Sequence, residues 1–256
     1  MPVEQYRVMP HHLGYKYEYY DGAVHIQPGH SLAVAAVPVE PRSVNSPLPL
    51  RSVSAADKAG LITAFALSFI DSSEYCDWSL RSFNASAKKC IRDYFAAKRG
   101  KPLDVSRLAE HRGQVVAAAL VIEDREGPFL DMLFVVPDWQ RKGLASALVS
   151  SVLNSLWELG REKLASSYHL ANSLSAAWHR EFGFVDEPDL RLAEMRRRIA
   201  QHELWRLEEI DCLSEDERTR LEAECRKWDA VIQSLEAVQE AEGYRAVTPI
   251  MRRGYP

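Results

Sequence analysis

Apolar and polar positions change period several times along the chain, and each change predicts an element. Tyr15, Tyr17 and Tyr19 alternate with Lys16 and Glu18, Asp21-Gly22 follows, and Ala23 to Gln27 form a second short run. Two such runs around an Asp-Gly pair predict a β-hairpin, with its tyrosines as a packing face. Pro38, Pro41, Pro47 and Pro49 then punctuate the chain. Proline fixes φ and removes a donor, so an extended connector is expected there. Residues 48–53 read as a strand. Ser54 suits a helix N-cap with Asp57 in the first turn, and Leu61, Ile62, Phe65, Leu67 and Phe69 carry that helix onward. A second helix is expected over 85–99, stopped by Gly100-Lys101-Pro102.

The run 114–123 is continuously apolar, as in a central strand buried on both faces. After a turn at 124–127, residues 129–136 form the next strand, giving an antiparallel pair that Pro137 ends. Leu144, Ala147, Leu148, Ser151, Val152 and Ser155 follow a helical period that starts near Gly143 and stops at Gly160. A strand over 163–170 and a short helix over 173–182, halted by Gly183, come next. From 189 to 242 the chain is rich in Glu and Arg, and Ser214-Glu215-Asp216-Glu217 fits a capping box. Leu221, Cys225, Trp228, Ile232 and Leu235 step by 4-3-4-3, a narrow stripe suited to a partner helix. These features predict a helical hairpin over 189–211 and 214–241, its stripe meeting a partner within the chain or across a homodimer. Residues 244–251 suit a last short strand, followed by a tail.

Composition narrows the classes. Of 256 residues, 46% are hydrophobic and 27% charged, a balance that argues for an ordered soluble protein. A formal charge of -4 argues against nucleic-acid binding by bulk charge. Cys76, Cys90, Cys212 and Cys225 form no C-x-x-C pair and read as reduced thiols. No His stands at zinc spacing from a close Cys pair, and His11, His12, His25 and His30 are too loosely spaced, so no metal is expected. The start lacks the apolar core of a signal peptide, and the longest apolar run, 115–122, is too short for a membrane span. The expectation is a cytoplasmic protein with no membrane partner.

The segment 130–145 carries the chemistry: strand, short turn, helix. Gln140-x-x-Gly143-x-Ala145 stands at the helix entrance, where unpaired N–H groups and the positive dipole end favour a phosphate. Gly143 and Ala145 let backbone approach a bulky anion, and Arg141 and Lys142 add positive charge. This segment resembles the diphosphate-binding pattern Q/R-x-x-G-x-G/A of the GNAT superfamily of acyl-CoA N-acyltransferases. A second stretch resembles that family's N-x-x-A-x-x-[aromatic or aliphatic]-Y-x-x-x-G-F pattern. Asn172 matches its Asn, Ser175 stands for its Ala, His179 replaces its Tyr, and Gly183-Phe184 matches its Gly-Phe. The two motifs fall in the family's order.

The resemblance implies an α/β fold of GNAT type: a mixed, mostly antiparallel sheet with flanking helices. An N-terminal β-hairpin extension and the C-terminal helical hairpin are added to it. The expected divisions are 1–47 for the hairpin and connector, 48–188 for the acetyltransferase domain, 189–242 for the helices as an insertion, and 243–256 for a closing strand and tail. The implied co-substrate is acetyl-CoA, lying between splayed parallel strands. Backbone groups of Phe134, Val135 and Val136 would meet the pantetheine and acetyl carbonyl. Gln140 and the amides of Arg141, Lys142, Gly143, Leu144, Ala145 and Ser146 would hold the diphosphate, and Asn172 would contact the cofactor. A primary amine, small-molecule or peptide, would attack the thioester directly. Asp131, on the cleft strand, is the candidate base, and a strand bulge there would alter which face it occupies. His179 is the candidate acid for the thiolate. The rival reading is a CoA-binding regulatory or interaction module with little transferase activity.

Overall fold

A computed structural model describes residues 1–241, so the strand expected over 244–251 lies outside the described residues. The elements are α1 (Val3–Arg7), β1 (Tyr15–Tyr20), β2 (Ala23–Pro28), β3 (Leu32–Pro38), β4 (Leu50–Ser52), α2 (Lys58–Phe69) and α3 (Leu80–Phe95). There follow β5 (Lys101–Pro102), β6 (Arg107–His111), β7 (Gln114–Asp124), β8 (Gly127–Val135), α4 (Leu144–Glu158), β9 (Lys163–His169), α5 (Ser173–Phe182) and β10 (Val185–Asp186). Two long helices, α6 (Leu190–Glu209) and α7 (Glu215–Ala241), complete the described chain. The fold is mixed α/β with a mostly antiparallel sheet. The described residues divide into two compact units, one of residues 34–168 and 174–186, the other of 1–33, 169–173 and 187–241.

In the first unit the strand order is β10-β3-β9-β8-β7-β6-β4, with β5 also on β7. The β6–β7 and β7–β8 pairs are antiparallel and β8–β9 is parallel. The apolar run of β7 explains its central place: Ala117 to Val121 are fully buried, with α2 and α4 packed on the strand. Leu61 and Phe65 of α2, Ile91 and Tyr94 of α3, and Leu148, Val152 and Leu156 of α4 fill the core. Each large apolar side chain buried this way stabilises the fold by about 1.5–3 kcal/mol. The helix after β4 enters at the expected Ser54, where the structure adds a capping box, Ser54 N–H donating to Asp57 Oδ2 at 2.7 Å.

Two elements depart from expectation. Helix α3 begins at Leu80 rather than 85, because Ser79 caps it: Ser79 Oγ accepts from Ser82 N–H at 3.1 Å. It ends at Phe95, short of Arg99, where Ala97 takes a φ of 54° that a helix does not tolerate. The second departure is β3. Its Ala33, Ala35, Ala36 and Val37 are buried in a strand beside β9, formed just before the prolines begin. The connector beyond it is anchored rather than loose. Arg42 N–H donates to Asn154 Oδ1 at 2.7 Å, Asn154 Nδ2 donates to Arg42 O at 2.9 Å, and the Arg42 guanidinium donates to Phe182 O at the end of α5 at 2.8 Å.

In the second unit, β1 and β2 pair antiparallel, with Tyr20 opposite Ala23. Asp21 and Gly22 both have positive φ, 52° and 73°, as a primed two-residue turn requires. Gly14, at φ 87°, is held against the turn after β9. A Cβ there would come within 2.4 Å of Ala171 N and Leu170 C, so only glycine fits. Helices α6 and α7 form the expected hairpin, and the apolar stripe of α7 finds its partner helix in the same chain. Trp228 and Ile232 pack with Ala193 of α6, with Leu190, Val231 and Leu235 around them. Ion pairs Arg197–Asp229 at 3.0 Å and Arg218–Glu208 at 2.7 Å join the two helices.

The N-terminal segment meets α6 through a face-to-face stack, the His11 and His202 rings 3.9 Å apart and 4° from parallel, with Tyr17 on the other side of His11 at 4.2 Å. Burial lowers the proton affinity of both rings, and each is further affected by charged neighbours. His202 and His12 oppose a charge on His11, Arg206 opposes one on His202, and Glu203 favours one on His202. A histidine pKa lowered by folding gives stability that is full above the ordinary value of 6.5 and falls as pH drops below it. Limited proteolysis is therefore expected to leave the N-terminal segment intact at neutral pH and to cleave it faster near pH 5. Replacing both histidines by phenylalanine should abolish that pH dependence.

Candidate acyl-CoA site

The site is built where β8 parts from β9 while staying paired with β7. The β7–β8 register runs Leu120 opposite Met132 and then Val121 opposite Leu130, so Asp131 is an extra residue in a bulge. The parallel β8–β9 ladder has two rungs, Phe129 with Ala165 and Leu130 with Ser166. Among the described residues no further rung joins these strands, so β8 and β9 part just where the bulge begins. Val136 N–H donates to Val116 O at 2.9 Å, toward β7. Backbone groups alternate sides along a strand, so those of Phe134 also turn to β7, while those of Leu133 and Val135 face the gap. Of the three strand residues singled out in the sequence, Val135 therefore meets the gap through its backbone, Phe134 turns to β7, and Val136 gives its N–H to β7 and its carbonyl to Trp139 N–H at 2.9 Å.

The turn after β8 is shaped by two left-handed residues, Arg141 at φ 60° and Gly143 at φ 79°. Gln140 to Gly143 are exposed. Gln140 Nε2 donates to Val135 O at 2.9 Å, tying the turn back to the strand. The first bond of α4 runs from Ala147 N–H to Gly143 O at 3.0 Å. The amides of Leu144, Ala145 and Ser146 thus precede the helical ladder, at the positive end of the helix dipole. A Cβ built on Gly143 would meet no atom within 4 Å, so the space before the helix is open. Lys142 Nζ lies over the Trp139 ring, 4.9 Å from its centroid, leaving its ammonium at the turn. These features fit a diphosphate.

The second motif is brought to the first. Trp178 of α5 donates its indole N–H to Ser146 Oγ at 3.1 Å. Its neighbour His179 is 4% exposed. The His179 Nδ1 lies 2.8 Å from Ser175 O, and its Nε2 lies 3.0 Å from Ser166 Oγ. Burial pushes the imidazole pKa down, opposed by the bond to Ser175 and the charge of Asp186. Asp131 accepts two bonds from Arg99, Nε to Oδ2 at 2.7 Å and Nη2 to Oδ1 at 2.9 Å, with the carboxylate 4% exposed. Asn172 is in the turn between β9 and α5, its N–H donating to His169 O at 2.9 Å, and it groups with the other unit. Arg99 and Ser166 are the residues that sequence reasoning did not single out. Both act through partners distant in the chain, and no spacing rule links them.

The profile of the acetyltransferase (GNAT) family matches residues 72–184, which span α3 to α5 and both motifs. No curated protein matches the chain. Among solved structures, it is similar to a GCN5-related N-acetyltransferase from Sphaerobacter thermophilus, with 17% identity over 61% of this chain and a TM-score of 0.43. The chain spans 48% of that protein's length. It is similar to the PaiA N-acetyltransferase of Thermoplasma acidophilum, solved with coenzyme A, with 16% identity over 56% of this chain and 92% of that one and a TM-score of 0.46. A third likeness is to the aminoglycoside 6'-N-acetyltransferase AAC(6')-Ig of Acinetobacter haemolyticus, with 20% identity over 56% of this chain and 94% of that one and a TM-score of 0.42. Both motifs fall, in order, within the stretch 72–184 that matches the acetyltransferase (GNAT) family profile.

Proposed function

We propose that the protein transfers an acetyl group from acetyl-CoA to a primary amine. The observation that carries this reading is the parting of β8 and β9 after Leu130 and Ser166, beside the open start of α4 at Gly143. In this reading the amides from Arg141 to Ser146 hold the diphosphate, with Arg141 and Lys142 adding charge and Gln140 bracing the turn. The backbone of Leu133 and Val135 pairs with the pantetheine as a third strand would. The Val135 N–H then faces the thioester carbonyl and stabilises the developing oxyanion.

Asp131 enters as a structural anchor of the bulge rather than as the base. Both its oxygens accept from the Arg99 guanidinium, which holds the carboxylate in the bulge. His179 stands in the place of the family tyrosine, so the proton work of the reaction falls to it. The acceptor class is a small-molecule amine or a peptide N-terminus or lysine. A second reading, a CoA-binding module without efficient transfer, is favoured by one observation: both ring nitrogens of His179 are engaged inside the protein.

Calorimetry with acetyl-CoA and release of CoA thiol across an amine panel test the proposal together. Binding with amine-dependent thiol release supports a transferase. Binding with no release on any amine favours the module, and no binding refutes both.

A further inference from the structure

We propose that Ser166 and His179 form a proton relay, in which the Ser166 hydroxyl meets the substrate and His179 positions and recharges it. The proposal rests on the transferase reading above and names the proton path within that site.

The geometry fixes the direction of the bonds. A carbonyl only accepts, so the 2.8 Å contact between His179 Nδ1 and Ser175 O places the proton on Nδ1. In the neutral ring Nε2 is then a bare acceptor. It lies 3.0 Å from Ser166 Oγ, so the serine O–H donates to it. Burial favours the neutral ring. The ring is packed on the other sides by Tyr168, Trp178 and Phe184, with centroids 4.9 to 5.0 Å away. Asp186 is the charged group on this side, and its Oδ1 accepts from Tyr168 O–H at 2.8 Å. Ser166, 2% exposed, belongs to the last rung before β8 and β9 part, so its backbone stands at the edge of the gap and its hydroxyl turns to α5. The hydroxyl that a tyrosine would extend from α5 is here supplied by the strand, with the shorter histidine behind it.

The step balances without a further reactant. The amine nitrogen attacks the thioester carbon, forming a C–N bond, and the ammonium proton passes to Ser166 Oγ. Ser166 passes its own proton to His179 Nε2, making an imidazolium held by Ser175 O. As the C–S bond breaks, the relay runs backward and the sulfur leaves as thiol. One proton has moved from amine to sulfur, and both side chains are restored.

The test compares wild type, Ser166→Ala, Ser166→Thr and His179→Gln, using acetyl-CoA with spermidine, kanamycin and an alanine-terminated peptide as probes. Ser166→Ala is expected to lower kcat on the order of 100-fold, with acetyl-CoA affinity unchanged by calorimetry, while Ser166→Thr keeps most activity. The wild-type kcat/KM should fall on the acid side below the ordinary imidazole value of 6.5, and His179→Gln should lack that limb while keeping the one set by the amine. Ser166→Ala with wild-type kcat overturns the relay. So does a joint loss of folding, CoA affinity and turnover in Ser166→Ala that Ser166→Thr fails to rescue. Wild type that binds acetyl-CoA and acetylates none of the probes defeats the transferase reading and the relay with it, a failure seen before any variant is compared.

Discussion

Replacing Gly143 with leucine is expected to abolish measurable acetyl-CoA binding while the protein stays folded. The added side chain would project into the open space before α4, where no atom lies within 4 Å of the Cβ position. It meets nothing in the free protein, so its cost there is the left-handed backbone at φ 79°, about 1–2 kcal/mol. The bound diphosphate would lose its approach to the amides. Losing two charge-assisted bonds of about 1.5–3 kcal/mol each removes about 3–6 kcal/mol, a fall in affinity of about 100-fold to 10,000-fold. Gly143→Ala should fall between, since one methyl blocks less. Calorimetry reads both variants, and circular dichroism checks the fold. Unchanged affinity in Gly143→Leu would remove the diphosphate from this turn.

Arg99→Ala is expected to be the most destabilising single change in the site. It leaves Asp131 buried in the β8 bulge with its two strongest bonds gone. Removing one partner of a buried ion pair costs about 3–5 kcal/mol, and partial exposure of Arg99 puts the cost near 3 kcal/mol. In a chain of this size that lowers Tm by roughly 6–12 °C. Asp131→Asn is the informative companion. It keeps one acceptor for Arg99 and should cost about 1–3 kcal/mol. If Asp131 is an anchor, turnover in this variant stays within a few-fold of wild type. A loss of two orders of magnitude in a folded Asp131→Asn protein would return the base to Asp131.

Much of this arrangement is written in the local order of the residues. Strand β7 is legible because an unbroken apolar run has few alternatives, and α6 and α7 are legible from period and caps. The turn at Gly143 is legible because its chemistry is local: a strand end, two basic residues, a glycine and a helix start lie within a few residues. Strand β3 was hidden by small residues. Ala33, Ala35 and Ala36 carry little β preference and are buried by strands distant in sequence. The start of α3 is hard to read because a serine cap, not an apolar residue, sets it.

The proton groups were the least legible. Alternation separates Asp131, Leu133 and Val135 from Met132, Phe134 and Val136. It does not reveal that Asp131 occupies a bulge or that Arg99, on a different element, binds it. His179 stands out as a departure from the family motif, yet its meaning depends on Ser166, which shares no local pattern with it. Tertiary neighbours decide these roles, and a serine in a strand announces nothing by itself.

The account turns on whether the amides opening α4 receive the cofactor beside the β8–β9 gap. A titration of the isotopically labelled protein with CoA, followed amide by amide by NMR, reads this directly. The predicted result is saturable shifts largest at the amides of Arg141 to Ser146, with a second set at Leu133 and Val135. Saturable binding whose shifts lie elsewhere, with 141–146 unmoved, would contradict it.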